Sequence, residues 1–565
     1  MHYKIDAKGQ KTSLVYDAQG RVTEVKRYAD GVNEDICQAV KSYYGTNPFD
    51  GTFTQNANGR LAATETGCQN VGMGILREMY SYSPAGQATK KRLRMVRFGG
   101  AVDKDVAYGY GTDGKLATVL YPGRTVPYTY TYDLLDRPVK MTGPGIVSSA
   151  TIDHAKDVLY GVAGQVTSMK ILDGEYEDGG GSYTRNYITE ARSYNALFQL
   201  TRQTATGVGG TAMDVEYSFS TTQNDGRIEW RKNHVSGEQV VYSYDSLSRL
   251  ISASVSGTGW GQSFTFDGFG NLWSQTVTKG SAPSFALSVD MAKNRVNSAS
   301  WSYDANGNTL QMPDGGGTST AGYDVENRMT SYANAAGTEE YGYLADNKRV
   351  WKKAANNTET VYFYGVGGQR LVEYVVTSLS PLTFNAGTES VYFGGKLIRA
   401  GGKSVVSDRL GSVMGRGDGQ SAYERHDYFP YGEEMISSAN NRDKFGTYSR
   451  DGHSGLDYAD QRYYASRFGR FRTSDPSTGS LLTSWAMNQY AYVSGDPVNQ
   501  NDPSGLACVQ AGYMVSGKLI PCLFDASTGG GAGAGSSGGG TSTLTYIQSY
   551  PTWDWFITPG HFTTP

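Results

Sequence analysis

A short frame recurs from Tyr16 almost to Leu371: alternating aromatics, an Asp, a Gly or small polar residue, then a basic residue followed by Leu, Val or Met. It reads Tyr16-Asp17-Ala18-Gln19-Gly20-Arg21-Val22 near the start, Tyr242-Ser243-Tyr244-Asp245-Ser246-Leu247-Ser248-Arg249-Leu250 midway and Tyr303-Asp304-Ala305-Asn306-Gly307-Asn308-Thr309-Leu310 later. Drifted copies include Tyr130 to Arg137, Phe264 to Leu272, Tyr323 to Met329, Tyr341 to Val350 and Tyr362 to Leu371. Alternation on both sides of a turn is the pattern of a β-hairpin. The Asp can accept backbone N–H bonds in the turn, and Gly supplies the positive φ of a tight connection. One hairpin is marginal in water, so each must pair with the next along a continuous sheet, and a sheet that long has to curl. The chain is therefore expected to be all-β, with the Tyr-Asp pairs serving sheet packing and turn chemistry rather than catalysis or sugar binding. The frame is poor around 29–75, 143–190 and 274–300, where insertions and divergent hairpins are both open readings.

Composition agrees. The 565 residues include 73 Gly and 42 Tyr, with only 19% charged residues, a mixture that suits many short strands and tight turns rather than disorder or helical bundles. A formal net charge of −3 gives the repeat region no basic surface for a nucleic-acid backbone. No stretch of about 18 apolar residues is present to cross a bilayer as a helix, and the first residues lack the apolar core of a signal peptide. Met1 already opens on half a repeat, so non-classical export and a fragment of a larger product are both open. Four cysteines are too few for a disulfide scaffold and lack zinc-site spacing; Cys508 and Cys522 are a candidate pair, two unpaired thiols being the alternative. The six histidines are scattered, and Asp178-Gly179-Gly180-Gly181-Ser182 lacks the Lys of a phosphate loop, so neither metal nor cofactor is expected.

With these repeats, residues 1–506 resemble the RHS/YD-repeat family, which includes bacterial polymorphic toxins, wall-associated proteins and the C component of insecticidal toxin complexes. The resemblance implies a repeat array over 1–390 that winds as a spiralling sheet into a hollow shell. From about Val391 the frame gives way to ordered motifs: Ser407-Asp408-Arg409-Leu410-Gly411-Ser412-Val413, Tyr428-Phe429-Pro430-Tyr431-Gly432-Glu433, Gly455-Leu456-Asp457-Tyr458 with Arg462-Tyr463-Tyr464, and Gly469-Arg470-Phe471 ahead of Asp475-Pro476. They close on Asn488-Gln489-Tyr490-Ala491-Tyr492 and Asp502-Pro503-Ser504-Gly505-Leu506, and together look like the RHS repeat-associated core domain over 391–506.

That resemblance implies an intramolecular aspartyl autoprotease closing the shell, with Asp475 and Asp502 as the catalytic pair and Leu506–Ala507 as the bond cut. Two close carboxylates cannot both ionise freely, so one serves as acid while the other activates water. Asp-Pro is also an ordinary turn former, which is the competing reading of both residues. Asp496 stands where the family more often shows Asn, and the spacer between Asp475 and Asp502 is longer than the family pattern. Beyond Leu506 the composition changes: residues 507–565 hold a Gly-rich linker at 529–540 between two pieces too small for independent cores. No toxin-like catalytic constellation is visible there, Asp554 and His561 included.

Two functions follow as expectations. One is a secreted or injected delivery shell that encloses its own C-terminal segment and releases it by self-cleavage, working with secretion-system or toxin-complex proteins. The other is a non-catalytic cell-surface or wall-associated repeat protein in adhesion, with surface glycan as a partner.

Overall fold

A computed structural model describes residues 2–69, 71–476, 488–506, 509–515 and 518–521. Cys508, Cys522, Ala507 and the linker lie outside them. The described chain is almost entirely antiparallel strands paired in sequence order, the first sheet running from Tyr3–Ile5 to Phe285–Ala286 and the second from Ser302–Tyr303 to Glu424–Arg425.

Each letter of the repeat has a physical job. In the turn after Tyr244, the Asp245 N–H donates to the Arg249 carbonyl at 2.9 Å and Ser248 donates back to Asp245 at 3.0 Å. Asp245 Oδ1 accepts the backbone N–H groups of Leu247 and Arg249, each at 2.9 Å, while Oδ2 takes Arg249 Nε at 2.7 Å. The residue before the Arg takes a left-handed φ, 66° at Ser248 and 76° at Gly20, which is why Gly and Asn recur there.

The Tyr and the basic residue act between repeats. Tyr160 donates its hydroxyl to the Pro138 carbonyl at 2.7 Å, and Arg137 lies over the Tyr160 ring at 4.4 Å. Tyr343 does the same to Met329 at 2.6 Å under Arg328, and Tyr244 to Ile228 at 3.0 Å under Arg227. Each aromatic thus bonds the carbonyl just after the previous repeat's basic residue and stacks beneath that residue, so one frame closes its own turn and fastens the next hairpin.

The two sheets are successive turns of one spiral. Lys4 meets Glu326, Arg97 meets Glu359, Asp173 accepts from Ser404 and Arg231 meets Asp427, with sequence separations of 322, 262, 231 and 196. Fewer residues per turn along the chain mean a tightening spiral. The second-turn tip at Val325 is packed on the first turn, its N–H donating to Gln38 Oε1 and its side chain 4% exposed, whereas the tip residues Leu134 and Val162 on the first turn are 102% and 97% exposed.

The weak-repeat stretches resolve differently from one another. Residues 143–190 form divergent hairpins with long strands, Thr151–Tyr160, Val166–Glu177 and Tyr183–Tyr194. Residues 29–75 hold hairpins plus loops tied by a Cys37–Cys68 disulfide, and 274–300 carries the short strands that connect the two turns. Hairpins continue through Arg425, past Val391, so the first core motifs are still part of the spiral wall.

Candidate functional site

The narrow end of the spiral is filled by a small sheet of five strands: Arg442–Asp443, Ser449–Arg450, Asp457–Ala459, Arg462–Ala465 and Arg470–Phe471. Buried ion pairs bind it to the second turn. Arg349 pairs with Asp451, both 1% exposed at the side chain, and Lys352 Nζ reaches the same carboxylate at 3.1 Å. The Arg349 cation lies 4.3 Å from the Tyr458 ring. Behind the sheet Tyr448, Tyr464, Phe471 and Tyr492 pack together, Tyr464 and Tyr492 with centroids 4.6 Å apart. Burial pushes all three phenols well above their ordinary range, so they remain neutral.

The chain end lies against this sheet. In Asp502 to Leu506 the Gly505 N–H donates to the Asp502 carbonyl at 3.2 Å, and Asp502 Oδ1 accepts the Leu506 N–H at 3.0 Å. This is the turn chemistry of the repeats in a new place. The turn is seated on residues 459–462: Gln461 N–H donates to the Ser504 carbonyl at 3.1 Å, and Arg462 Nε donates to the Gly505 carbonyl. Gly505 takes a φ of 69°, and a Cβ there would meet the Ala459 carbonyl oxygen at 2.7 Å. Beyond Leu506 the strand Val509–Val515 pairs back with Gln500–Asn501.

The two aspartates singled out from sequence come to one point. Arg462 Nη2 is 2.8 Å from Asp475 Oδ2 and 3.6 Å from Asp502 Oδ2, with all three side chains largely shielded from solvent. Asp475 is placed by its N–H bond to the Gln489 carbonyl at 2.9 Å, and Asp502 by its turn and by Tyr448, whose hydroxyl donates to the Asp502 carbonyl. Leu506 ends the described part of this turn; Ala507 lies outside the described residues. Arg462 was legible only as part of the Arg-Tyr-Tyr motif, without a chemical role.

Asp496 serves another place. Its carboxylate accepts the N–H and the side-chain amide of Asn499, and burial pushes it up to about 6. Among the described residues no cluster of His, Cys, Asp and Glu is arranged to hold a metal, and no helix is long and apolar enough to cross a membrane.

No known family profile matches the chain. Curated relatives do, among them a tRNA3(Ser)-specific nuclease WapA of Bacillus spizizenii, 29% identical over 279 residues and 46% of this chain, and a tRNA nuclease WapA of Bacillus subtilis, 26% identical over 295 residues and 46% of this chain. In both cases the match spans only 12% of the relative's length. Among solved structures, TcdB2-TccC3 superposes with a TM-score of 0.70 at 17% identity, over 89% of this chain and 27% of the other. A Photorhabdus luminescens Tc holotoxin pore superposes at 0.69 and 16% identity, over 89% and 26%. These likenesses, with the Tyr-Asp turns and the spiral wall they build, support the resemblance to RHS/YD-repeat proteins and show that the chain shares the fold of the TcdB2-TccC3 shell.

Proposed function

We propose that the chain is the wall and self-cleaving core of an RHS-type toxin-delivery shell, acting outside the cell that makes it. In this reading the core hydrolyses its own Leu506–Ala507 bond and frees residues 507–565 as the enclosed segment. The observation that carries it is the convergence of Asp475 and Asp502, remote in sequence, on Arg462 beside the turn that ends at Leu506.

The chemistry would proceed as ordinary peptide hydrolysis. Water adds its oxygen to the Leu506 carbonyl carbon and gives a proton to one carboxylate; the other carboxyl group supplies a proton to the Ala507 nitrogen as the C–N bond breaks. Tethering holds the bond beside the pair at a high effective concentration, so no substrate affinity is needed. The nuclease activity named for the WapA relatives is not carried over, because the tail offers no recognisable nuclease constellation. Partners from a toxin complex or secretion system belong to the same proposal.

One observation favours a second reading, a non-catalytic surface repeat protein. The bond from Leu506 N–H to Asp502 Oδ1 has the same form as the turn bond from Arg249 N–H to Asp245 Oδ1, so Asp502 is also a competent turn residue. Expression with tags at both ends separates the two: a fragment ending at Leu506 supports the first, while an uncut chain that binds a glycan array supports the second.

A further inference from the structure

The Cys37–Cys68 disulfide joins two first-turn segments 31 residues apart in sequence. Strands Val40–Tyr44 and Leu61–Gly67 pair antiparallel with Val40 opposite Thr66, so the two sulfurs close this strand pair just beyond the end of its ladder. Both cysteines are only partly buried, which leaves the bond within reach of a small solute.

Each bridged segment also touches the second turn of the spiral. Beside Cys37, Gln38 Oε1 accepts the Val325 N–H at 3.1 Å, and the Gln38 carbonyl accepts Arg27 Nη1. Asp35 fixes that segment by accepting the Cys37 N–H at 3.0 Å and Gln38 Nε2 at 2.7 Å. Beside Cys68, Gly67 is pressed so close to Gly74 that a Cβ on it would overlap the Gly74 carbonyl oxygen, and it would stand 3.4 Å from Met73 Cε. Met73 in turn lies against the second-turn strand Gly337–Tyr343, where a Cβ on Gly342 would overlap its sulfur. The disulfide thus ties together two grips of the first turn on the second. Lys4 and Thr12, which hold Glu326, lie on strands the bond does not span, so the seam keeps that anchor when the bond is cut.

We propose that Cys37–Cys68 is a thiol-exchange site that governs this seam: as a disulfide it holds the two spiral turns together at Val325 and Gly342, and a dithiol reductant loosens them. A thiolate of the reductant attacks one cysteine sulfur and the S–S bond breaks, leaving a mixed disulfide and a cysteine thiolate. The second thiol of the reductant then displaces the other cysteine. The wall gains two electrons and two protons as two thiols, and the reductant leaves as its own disulfide. Without the cross-link the two segments regain freedom, and ordering both against the second turn costs more. Oxidising surroundings preserve such a bond and a reducing cytosol removes it. The inference goes beyond the delivery reading and requires no self-cleavage.

The test compares the oxidised full-length chain with the same chain in excess dithiothreitol, reading amide hydrogen exchange on peptides. Cys508→Ser/Cys522→Ser is run beside wild type so that the remaining cysteines contribute nothing. Reduction should speed exchange of the Val325 N–H roughly ten-fold or more and leave the seam at Ser404, beside Asp173, unchanged. Cys37→Ser/Cys68→Ser should match the reduced chain without reductant, and dilute hydrogen peroxide should oxidise its Met73 several-fold faster than in wild type. Unchanged exchange at Val325 in the reduced chain would make the bond a local staple and overturn the proposal. An equal rise at Ser404 would overturn it as well, by assigning the bond to the stability of the whole wall. So would a bond that dithiothreitol reduces only after denaturation.

Discussion

Gly505 lies so close to Ala459 that a Cβ on it would stand 2.7 Å from the Ala459 carbonyl oxygen, and its φ of 69° is one that residues with a side chain adopt only under strain. The closing turn of the core is thus pressed onto the strand that carries Arg462. Gly505→Ala should lift the turn from that strand and cost about 1 kcal/mol locally, with self-cleavage slowed far more than global stability falls. Intact mass for cleavage, beside a thermal melt for the fold, checks this; normal cleavage with a large loss of stability would contradict it.

The repeat frame predicts unequal costs within one hairpin. Tyr343→Phe leaves the buried Met329 carbonyl without its hydroxyl donor and should cost about 0.5–1.5 kcal/mol. Asp324→Ala removes two backbone acceptor bonds and the partner of Arg328, leaving that buried guanidinium uncompensated, and should cost about 3 kcal/mol or more. Denaturant midpoints of the two variants give the comparison, and equal costs would mean the Asp turn is not the anchor described.

Hairpin tips on the two spiral turns should answer differently to the same change. Val325→Ser buries a hydroxyl where a methyl pair was packed and should cost about 1.5–3 kcal/mol, whereas Leu134→Ser at a fully exposed tip should stay within about 0.5 kcal/mol of wild type. Thermal melts of both variants decide it. A large loss at Leu134 would show that this tip is covered in solution.

Asp496 and His154 set opposite pH trends. Asp496 is pushed up to about 6 by burial, so its folded state holds a proton that the unfolded chain releases, and its contribution to stability falls as pH rises from about 4 to about 6. Asp496→Asn should therefore stabilise the protein at neutral pH and have no such effect near pH 4. His154 is pushed down to about 4 by burial, so its contribution is present above about 6.5 and is lost as pH falls toward 4. Denaturation of wild type beside Asp496→Asn and beside His154→Gln across this range reads each in turn; a pH-independent difference between wild type and Asp496→Asn would contradict the assignment of Asp496 as a buried acid.

Much of the architecture was readable from residues because its rules are local. The turn at Asp245 and Arg249 is decided within five positions, and alternation fixes the strands beside it. The convergence of Asp475 and Asp502 was anticipated through the ordered core motifs rather than through spacing. Arg462 was missed because its meaning lies in contacts with residues 475, 489, 502 and 505, which no local pattern encodes. The Cys37–Cys68 bond escaped for the same reason, since two cysteines in weak-repeat loops carry no spacing signal. The tightening of the spiral also depends on which distant hairpins meet, as Lys4 meets Glu326 and Arg231 meets Asp427.

The central claim is that Asp475 and Asp502 cut the chain after Leu506. Intact-mass spectrometry of wild type, Asp475→Asn and Asp502→Asn, each tagged at both ends, tests it most directly. The account predicts a wild-type fragment ending at Leu506 and two folded, uncut variants; a wild type that stays whole, or variants that cleave like it, would contradict it.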